Sequence, residues 1–184
     1  MKKLLSILIC TLPERADKLA RLRRILQPQI AGFESVEVMH HEGGREIPTG
    51  IKRNQLIENC NGEYFCFIDD DDVIADTYVQ DIVLALSSNP DVVTFNGWMT
   101  TNGTHRVDFV IKLGEKYEAR DDKYYRWPNH LTVMRKELVR DVKFEPVWMA
   151  EDYRWSKQIH DLGLLKTEVH IEKELYHYDF ISKK

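Results

Sequence analysis

The chain has 184 residues, 43% of them hydrophobic, enough for one well-packed domain and too few for two ordinary ones. Lys and Arg number 26 against 30 Asp and Glu, a net charge of -4, so the basic excess with which duplex-binding proteins meet a phosphate backbone is missing. Cys10, Cys60 and Cys66 are an odd number of cysteines without metal-ligand spacing, and their apolar neighbours point to buried thiols in a reducing, cytoplasmic setting.

Lys2 and Lys3 before Leu4 to Cys10 have the look of a secretory leader, but the apolar run is short and Pro13-Glu14-Arg15 stands where a cleavage site of small residues belongs. The run therefore reads as a first strand buried on both faces. No stretch approaches the roughly 20 apolar residues of a membrane span. Leu12, Ala16, Leu19, Leu22 and Leu26 recur at helical spacing, and Pro28 is expected to stop that helix. Val36 to His40 alternates as a second strand, and Glu42 to Gly50 is a glycine-rich loop. A helix from about Ile51 buries Leu56, Ile57 and Cys60 and stops at Asn61-Gly62.

Tyr64 to Ile68 is another continuous apolar strand, and it runs straight into Asp69, Asp70, Asp71 and Asp72. Val79, Ile82, Val83 and Leu86 mark the next helix, and Val92 to Phe95 the next strand. Strands and helices alternate to this point, which predicts a three-layer α/β fold. The rhythm then changes. Asn102-Gly103 predicts a hairpin turn between Trp98 to Thr101 and Val107 to Ile111, so the Asn102-Gly103-Thr104 triplet reads as a turn rather than a glycosylation acceptor. Leu131 to Met134 is a further strand, and Trp155, Ile159 and Leu162 give a last helix from about Glu151 to Gly163.

Open α/β sheets gather ligands beyond the carboxyl ends of their strands, where the Asp69 to Asp72 cluster falls. Four adjacent carboxylates repel one another and are tolerated when solvated, when they cap a helix, or when a hard divalent cation such as Mg2+, Mn2+ or Ca2+ neutralises them.

Several segments in order are more specific than the cluster alone. Gly50-Ile51-Lys52-Arg53-Asn54, Leu56-Ile57, Asn61-Gly62-Glu63-Tyr64 and Phe67-Ile68-Asp69-Asp70-Asp71-Asp72 closely resemble the core signature of family 2 glycosyltransferases of the GT-A fold. Ser6 to Thr11 with Pro13 resembles that family's first strand, Trp148-Met149-Ala150-Glu151-Asp152 its later Glu-Asp motif, and Leu175-Tyr176-His177-Tyr178 its closing segment. The resemblance implies a Rossmann-like nucleotide-sugar transferase domain with a mixed, mostly parallel sheet. Residues 1–96 would bind the donor and residues 97–184 would supply the acceptor side and the base.

It also implies the roles. A divalent cation, Mn2+ or Mg2+, would act as Lewis acid on the leaving diphosphate, held by Asp69 and Asp71 with His177 as a third candidate. Thr11, Pro13, Arg15, Lys52, Arg53, Asn54, Asp69 and Asp70 would surround the nucleotide and its phosphates, for which Arg and Lys are common partners. Asp152, with Glu151 in support, would take the proton from the acceptor hydroxyl, and one carboxylate without a second nucleophile implies inversion. An Asp at a helix start also commonly serves as a cap. Of the four tryptophans, Trp155 is expected in the core, while Trp127-Pro128-Asn129-His130 and Trp148 are candidates for contact with sugar or acceptor.

UDP-sugars are the commonest donors in the resembling family. The short C-terminal part implies an acceptor held partly by another subunit of a homo-oligomer or by its own bulk, as a glycan, a protein or a modified nucleic acid would be. Two other readings compete. Phe67 to Val73 also fits the strand of a haloacid dehalogenase-type phosphatase with Asp69 as nucleophile, but that reading leaves the first two-fifths of the chain unexplained. A non-catalytic sugar-binding module would have no use for Asp69, Asp71 and Asp152 together. A nucleotidyltransferase would want a glycine-rich phosphate loop after the first strand, and Thr11 to Arg15 has none.

Overall fold

Leu5, Ile7 and Ile9 alternate with Leu8 along the first strand and all four are fully buried, so this strand needs cover on both faces. The computed structural model, which describes residues 2–181, supplies it with helices on both sides of a ten-stranded sheet. β1 (Lys3–Cys10) lies between β2 (Val36–His41) and β3 (Gly62–Phe67) and is parallel to both. α1 (Ala16–Ile30) and α2 (Thr49–Asn59) make the two crossovers. On one face Leu5, Ile7, Ile9, Tyr64 and Cys66 pack with Leu19, Leu22 and Leu26 of α1 and with Tyr78 and Ile82 of α3 (Tyr78–Leu86). On the other, Leu8, Phe65 and Phe67 pack with Leu56 and Ile57 of α2, Val139 of α4 (Lys136–Val139) and Trp155 and Ile159 of α5 (Glu151–Asp161). These are the three layers that the alternating pattern predicts.

The sheet becomes mixed beyond β3. β9 (Val133–Arg135) pairs antiparallel with both β3 and β5 (Val92–Thr101), so it sits between them. β5 is one ten-residue strand, not two short ones, because Asn96 and Gly97 interrupt the apolar run without interrupting the ladder. A side chain at Gly97 would come within 2.4 Å of the Phe109 ring and the Tyr176 carbonyl oxygen. The predicted hairpin is present: Asn102 and Gly103 have φ of 52° and 73° and turn β5 into antiparallel β6 (Thr104–Ile111).

Three short strands, β4 (Val73–Ile74), β7 (Glu118–Arg120) and β8 (Lys123–Arg126), carry too few residues to show periodicity. β10 (Glu168–Phe180) runs parallel to β5 and antiparallel to β4, and the sequence pattern marks only its end because Glu172, Lys173 and Glu174 break the alternation where the register shifts.

Three local expectations are corrected. α1 does not stop at Pro28 but continues to Ile30; in the last turn a missing N–H costs one hydrogen bond, not a helix. Leu12 lies outside α1, ahead of a 3-10 turn at Pro13–Arg15. Leu162 follows α5 and is exposed rather than buried. All three cysteines are free, and burial pushes the Cys10 and Cys66 thiols up to about 12, so neither is a reactive thiolate at neutral pH. No helix among the described residues is long and apolar enough to cross a membrane.

Candidate active site

β3 delivers Asp69 to Asp72 to the carboxyl edge of the parallel strands, and the fold treats the four carboxylates in two ways. Asp70 and Asp72 turn inward, 1% and 2% exposed. Asp70 accepts a hydrogen bond from Thr11 Oγ1 at 2.5 Å and pairs with Arg15 at 2.6 Å. Asp72 accepts from the Tyr176 hydroxyl at 2.7 Å, and that hydroxyl accepts the Asp69 N–H at 3.1 Å. Burial and the charge of Asp69 raise the Asp72 carboxyl, which favours its neutral form and eases the repulsion within the cluster.

Asp69 and Asp71 keep about a third of their side chains exposed. Arg53 Nη2 donates to Asp69 Oδ1 at 3.2 Å, and His130 Nε2 stands 3.5 Å from Oδ2. Burial raises the Asp69 carboxyl, but the charge of Arg53, the His130 ring beside it and the charge of Arg15 outweigh it and hold the group well below the usual carboxylate range. Asp71 pairs with Arg15 at 2.5 Å and Lys18 at 3.0 Å. Both face a cleft of about 560 Å³ that is also lined by Thr11, Leu12, Arg15, Arg45, Lys52, Trp148, Tyr178 and Asp179.

The Gly50 to Asn54 segment of α2 builds one wall of this site. A side chain at Gly50 would meet the Glu145 carbonyl oxygen at 1.8 Å, so glycine lets the segment before α5 approach closely. Lys52 is buried and its Nζ donates to the carbonyls of Gly43 and Thr11. Asn54 brackets Phe144, donating to its carbonyl and accepting its N–H, both at 2.9 Å. Arg53 is 4% exposed, lies over Phe67 at 4.7 Å, and its Nε stands 3.3 Å from Glu151 Oε1.

Ala150 adopts a left-handed φ of 60° and starts α5, whose first turn carries Glu151 and Asp152. Glu151 points inward, 5% exposed, and burial raises its carboxyl against the pull of Arg53. Asp152 points outward with about a third of its side chain exposed, 3.5 Å from His130 Nδ1. His130 is thus flanked by Asp69 on one ring nitrogen and Asp152 on the other, and at 3.5 Å neither contact is a well-formed hydrogen bond.

Asp69 and Asp71 present hard oxygen donors to one cleft, with Asp69 held ionised. Among the described residues no group of three His, Cys, Asp or Glu is placed to hold a metal ion. Two carboxylates, with phosphate oxygens and water completing the shell, still fit Mg2+ or Mn2+, which are commonly bound in this way beside substrate phosphates.

The sequence pattern described as Glycosyl transferase family 2 matches residues 18–143, more than half of the chain. The chain belongs to glycosyl transferase family 2. No curated protein matches it. In fold this family 2 domain is similar to crystal structures of S. aureus TarS: residues 1–349 with UDP-GlcNAc (TM-score 0.68, 15% identity), the same residues with UDP (0.66, 14%), and TarS itself (0.65, 14%). The matches cover 97–100% of this chain but 60% of the 1–349 chains and 37% of TarS, so the domain spans only part of the proteins it resembles.

Family membership displaces the phosphatase reading of Phe67 to Val73. The structure brings Thr11, Arg15, Lys52, Asp69, Asp70, Asp71 and Trp148 to the cleft of the family 2 domain. Arg53 and Asn54 are not at the cleft surface: both lie within the wall, and Arg53 neutralises Asp69 and Glu151 rather than a solvent-facing phosphate site. Pro13 opens the 3-10 turn and leaves the lining to Thr11, Leu12 and Arg15. His177 does not line the cleft; it stacks on Trp98 at 4.9 Å and contacts Thr100 Oγ1 at 2.8 Å. His177 and Asp179 share Thr100 Oγ1 as a partner, and of the two only Asp179, further along β10, reaches the cleft. Trp127 and Asn129 are buried, with Trp127 Nε1 donating to Ser156 Oγ at 3.2 Å and Asn129 Oδ1 accepting the Leu131 N–H at 3.0 Å. Sequence reasoning missed Lys18, Arg45, Tyr178 and Asp179. Arg45 after Gly43-Gly44 was the one legible signal, a lone cation in a loop suited to close approach of a ligand.

Proposed function

We propose that this domain transfers a sugar from a uridine diphosphate sugar to an acceptor hydroxyl with inversion, with Asp152 as the general base. The observation that carries the reading is the chain of contacts from the cleft to the base: Asp69 faces the cleft, His130 stands 3.5 Å from it, and Asp152 stands 3.5 Å from His130. S. aureus TarS 1–349 has been crystallised in complex with UDP-GlcNAc and with UDP, which supports a uridine nucleotide as donor.

Asp69 and Asp71 would hold Mn2+ or Mg2+, which when bound supplies positive charge for the leaving diphosphate. Arg15, Arg45 and Lys52 line the same cleft and offer cationic partners to phosphate oxygens. Asp152 accepts the acceptor proton as the new bond forms at the anomeric carbon, and the bond to the diphosphate oxygen breaks on the opposite face. Glu151 is turned inward to Arg53, which leaves Asp152 as the exposed acid of the pair. The acceptor is a glycan, a protein or a modified nucleic acid, in that order of fit to the features beside Asp152.

A screen of nucleotide sugars for hydrolysis with Mn2+ tests the reading. Release of a nucleoside diphosphate from a UDP-sugar, lost with chelator, is the expected result. Turnover of no nucleotide sugar, together with no UDP binding by calorimetry, would overturn it.

A further inference from the structure

Beside Asp152, on residues outside the carboxylate cleft, three aromatic rings meet. Tyr117 and Trp127 have centroids 4.9 Å apart, Tyr117 and Tyr153 5.2 Å apart at 80°, and Trp127 and Tyr153 5.8 Å apart. Trp127 is the fixed member: it is 8% exposed, tied to Ser156, and stacked on His160 at 4.6 Å. Tyr153 is the open member, 39% exposed and next in sequence to Asp152 in the first turn of α5. Tyr117 is half-buried; burial raises its hydroxyl, the charge of Arg126 pulls it down, and the charge of Asp152 raises it.

None of the three rings lines the cleft that holds Asp69 and Asp71. They are therefore outside the donor side, yet they adjoin the residue that takes the acceptor proton. The core does not require this exposure. Trp155 and Ile159 supply the α5 face that packs on the sheet, while Tyr153 lies against Tyr117 and Trp127 instead. A π-face carries partial negative charge and suits the weakly positive C–H face of a pyranose, and the tyrosine hydroxyls suit the ring's own hydroxyls. For a phosphate-bearing acceptor Asp152 would repel and Arg126, 5.4 Å from the Tyr117 ring, would attract, so charge gives it no advantage, whereas the stacked rings favour a pyranose face.

We infer that Tyr153 and Tyr117, backed by Trp127, form an acceptor subsite that stacks a neutral hexopyranose ring with its reacting hydroxyl towards Asp152. This rests on the transferase reading above and names its acceptor as a glycan. Tyr153 sets acceptor affinity through its face, so Phe serves in its place and Ala does not.

Saturation-transfer NMR tests the inference on the whole chain with a panel of methyl hexopyranosides and neutral trisaccharides, a short peptide and a single-stranded oligonucleotide, with and without UDP and Mn2+. At least one pyranoside should bind wild type, weaken about tenfold in Tyr153→Ala and stay near wild type in Tyr153→Phe. UDP affinity, measured on the same samples by calorimetry, should be equal in all three and shows that the variants fold. Pyranoside binding that survives Tyr153→Ala would overturn the subsite, as would a wild type that binds UDP but no sugar. Tyr153-dependent binding of the peptide or oligonucleotide instead would overturn the substrate class. If UDP fails to bind while a pyranoside binds through Tyr153, the donor reading falls and the subsite stands; if neither binds, both fall.

Discussion

Arg53 and Asp69 are joined at 3.2 Å across the wall of the cleft, a guanidinium that is 4% exposed against a carboxylate that faces the ligand. The same guanidinium stands 3.3 Å from Glu151, so one buried cation ties the strand that delivers Asp69 to the helix that delivers Asp152. Its removal strands the Glu151 charge in a buried position. Arg53→Met should destabilise the protein by about 3 kcal/mol or more, as expected when one member of a buried ion pair is lost. Arg53→Lys should recover only part of this, because a single ammonium cannot reproduce the planar fork that reaches two acids. Urea denaturation gives both values; a loss below about 1 kcal/mol for Arg53→Met would show that the pair contributes little.

His130 has a carboxylate at 3.5 Å from each ring nitrogen, Asp69 on one side and Asp152 on the other. Its effect should be on geometry rather than on donor affinity. His130→Ala is expected to lower the transfer rate by about 100-fold, the order of loss that follows a misplacement of about 1 Å in a reacting group. UDP affinity by calorimetry should change less than about threefold, under about half of a tenfold step in free energy. An equal loss in both would assign His130 to folding or donor binding instead.

The β1 to β3 frame has its own charged clamp. Glu37 accepts hydrogen bonds from Ser6 Oγ at 2.6 Å and from the Asn61 N–H at 2.6 Å. Burial raises its carboxyl, yet these bonds and the charge of Lys3 outweigh burial and lower it. A lowered carboxyl stabilises the fold above its unfolded value, near 4.5, and loses that contribution as pH falls through the folded value. Glu37→Gln should therefore cost about 1 kcal/mol at pH 7 and progressively less as the pH falls below 4.5. Thermal melts at pH 7 and pH 3.5 measure it. A deficit that is the same at both would mean the ionised carboxylate is not what matters.

The parallel half of the fold was readable because each element has enough apolar residues to show its period: Leu5, Ile7 and Ile9 for β1, Leu19, Leu22 and Leu26 for α1, Val79, Ile82 and Leu86 for α3. β7 and β8 were not, since three or four residues such as Lys123 to Arg126 show no alternation that differs from a loop. In the candidate site, the family-like motifs in order were enough to expect Asp69 and Asp71 at the strand edge where the cleft lies, and Asp152 at the start of a late helix. The separation of Asp70 and Asp72 from them was not legible, because it depends on Thr11, Arg15 and Tyr176, which come from 59, 55 and 104 residues away along the chain. His177 illustrates the same limit: it lies one residue before Tyr178 and two before Asp179, both of which line the cleft, yet it is held against Trp98 and Thr100 from the neighbouring strand β5.

The most direct measurement compares Asp152→Asn with Asp71→Asn for donor affinity and transfer rate, using the acceptor that the screens identify. Asn keeps the size of Asp and caps a helix nearly as well, so Asp152→Asn tests the proton acceptor alone. Transfer should fall by about 100-fold to 10,000-fold in Asp152→Asn, as for a lost general base, with metal-dependent UDP affinity near wild type. Asp71→Asn should lose the metal-dependent part of UDP affinity itself. Near-normal transfer by Asp152→Asn would contradict the assignment and reduce Asp152 to the start of a helix.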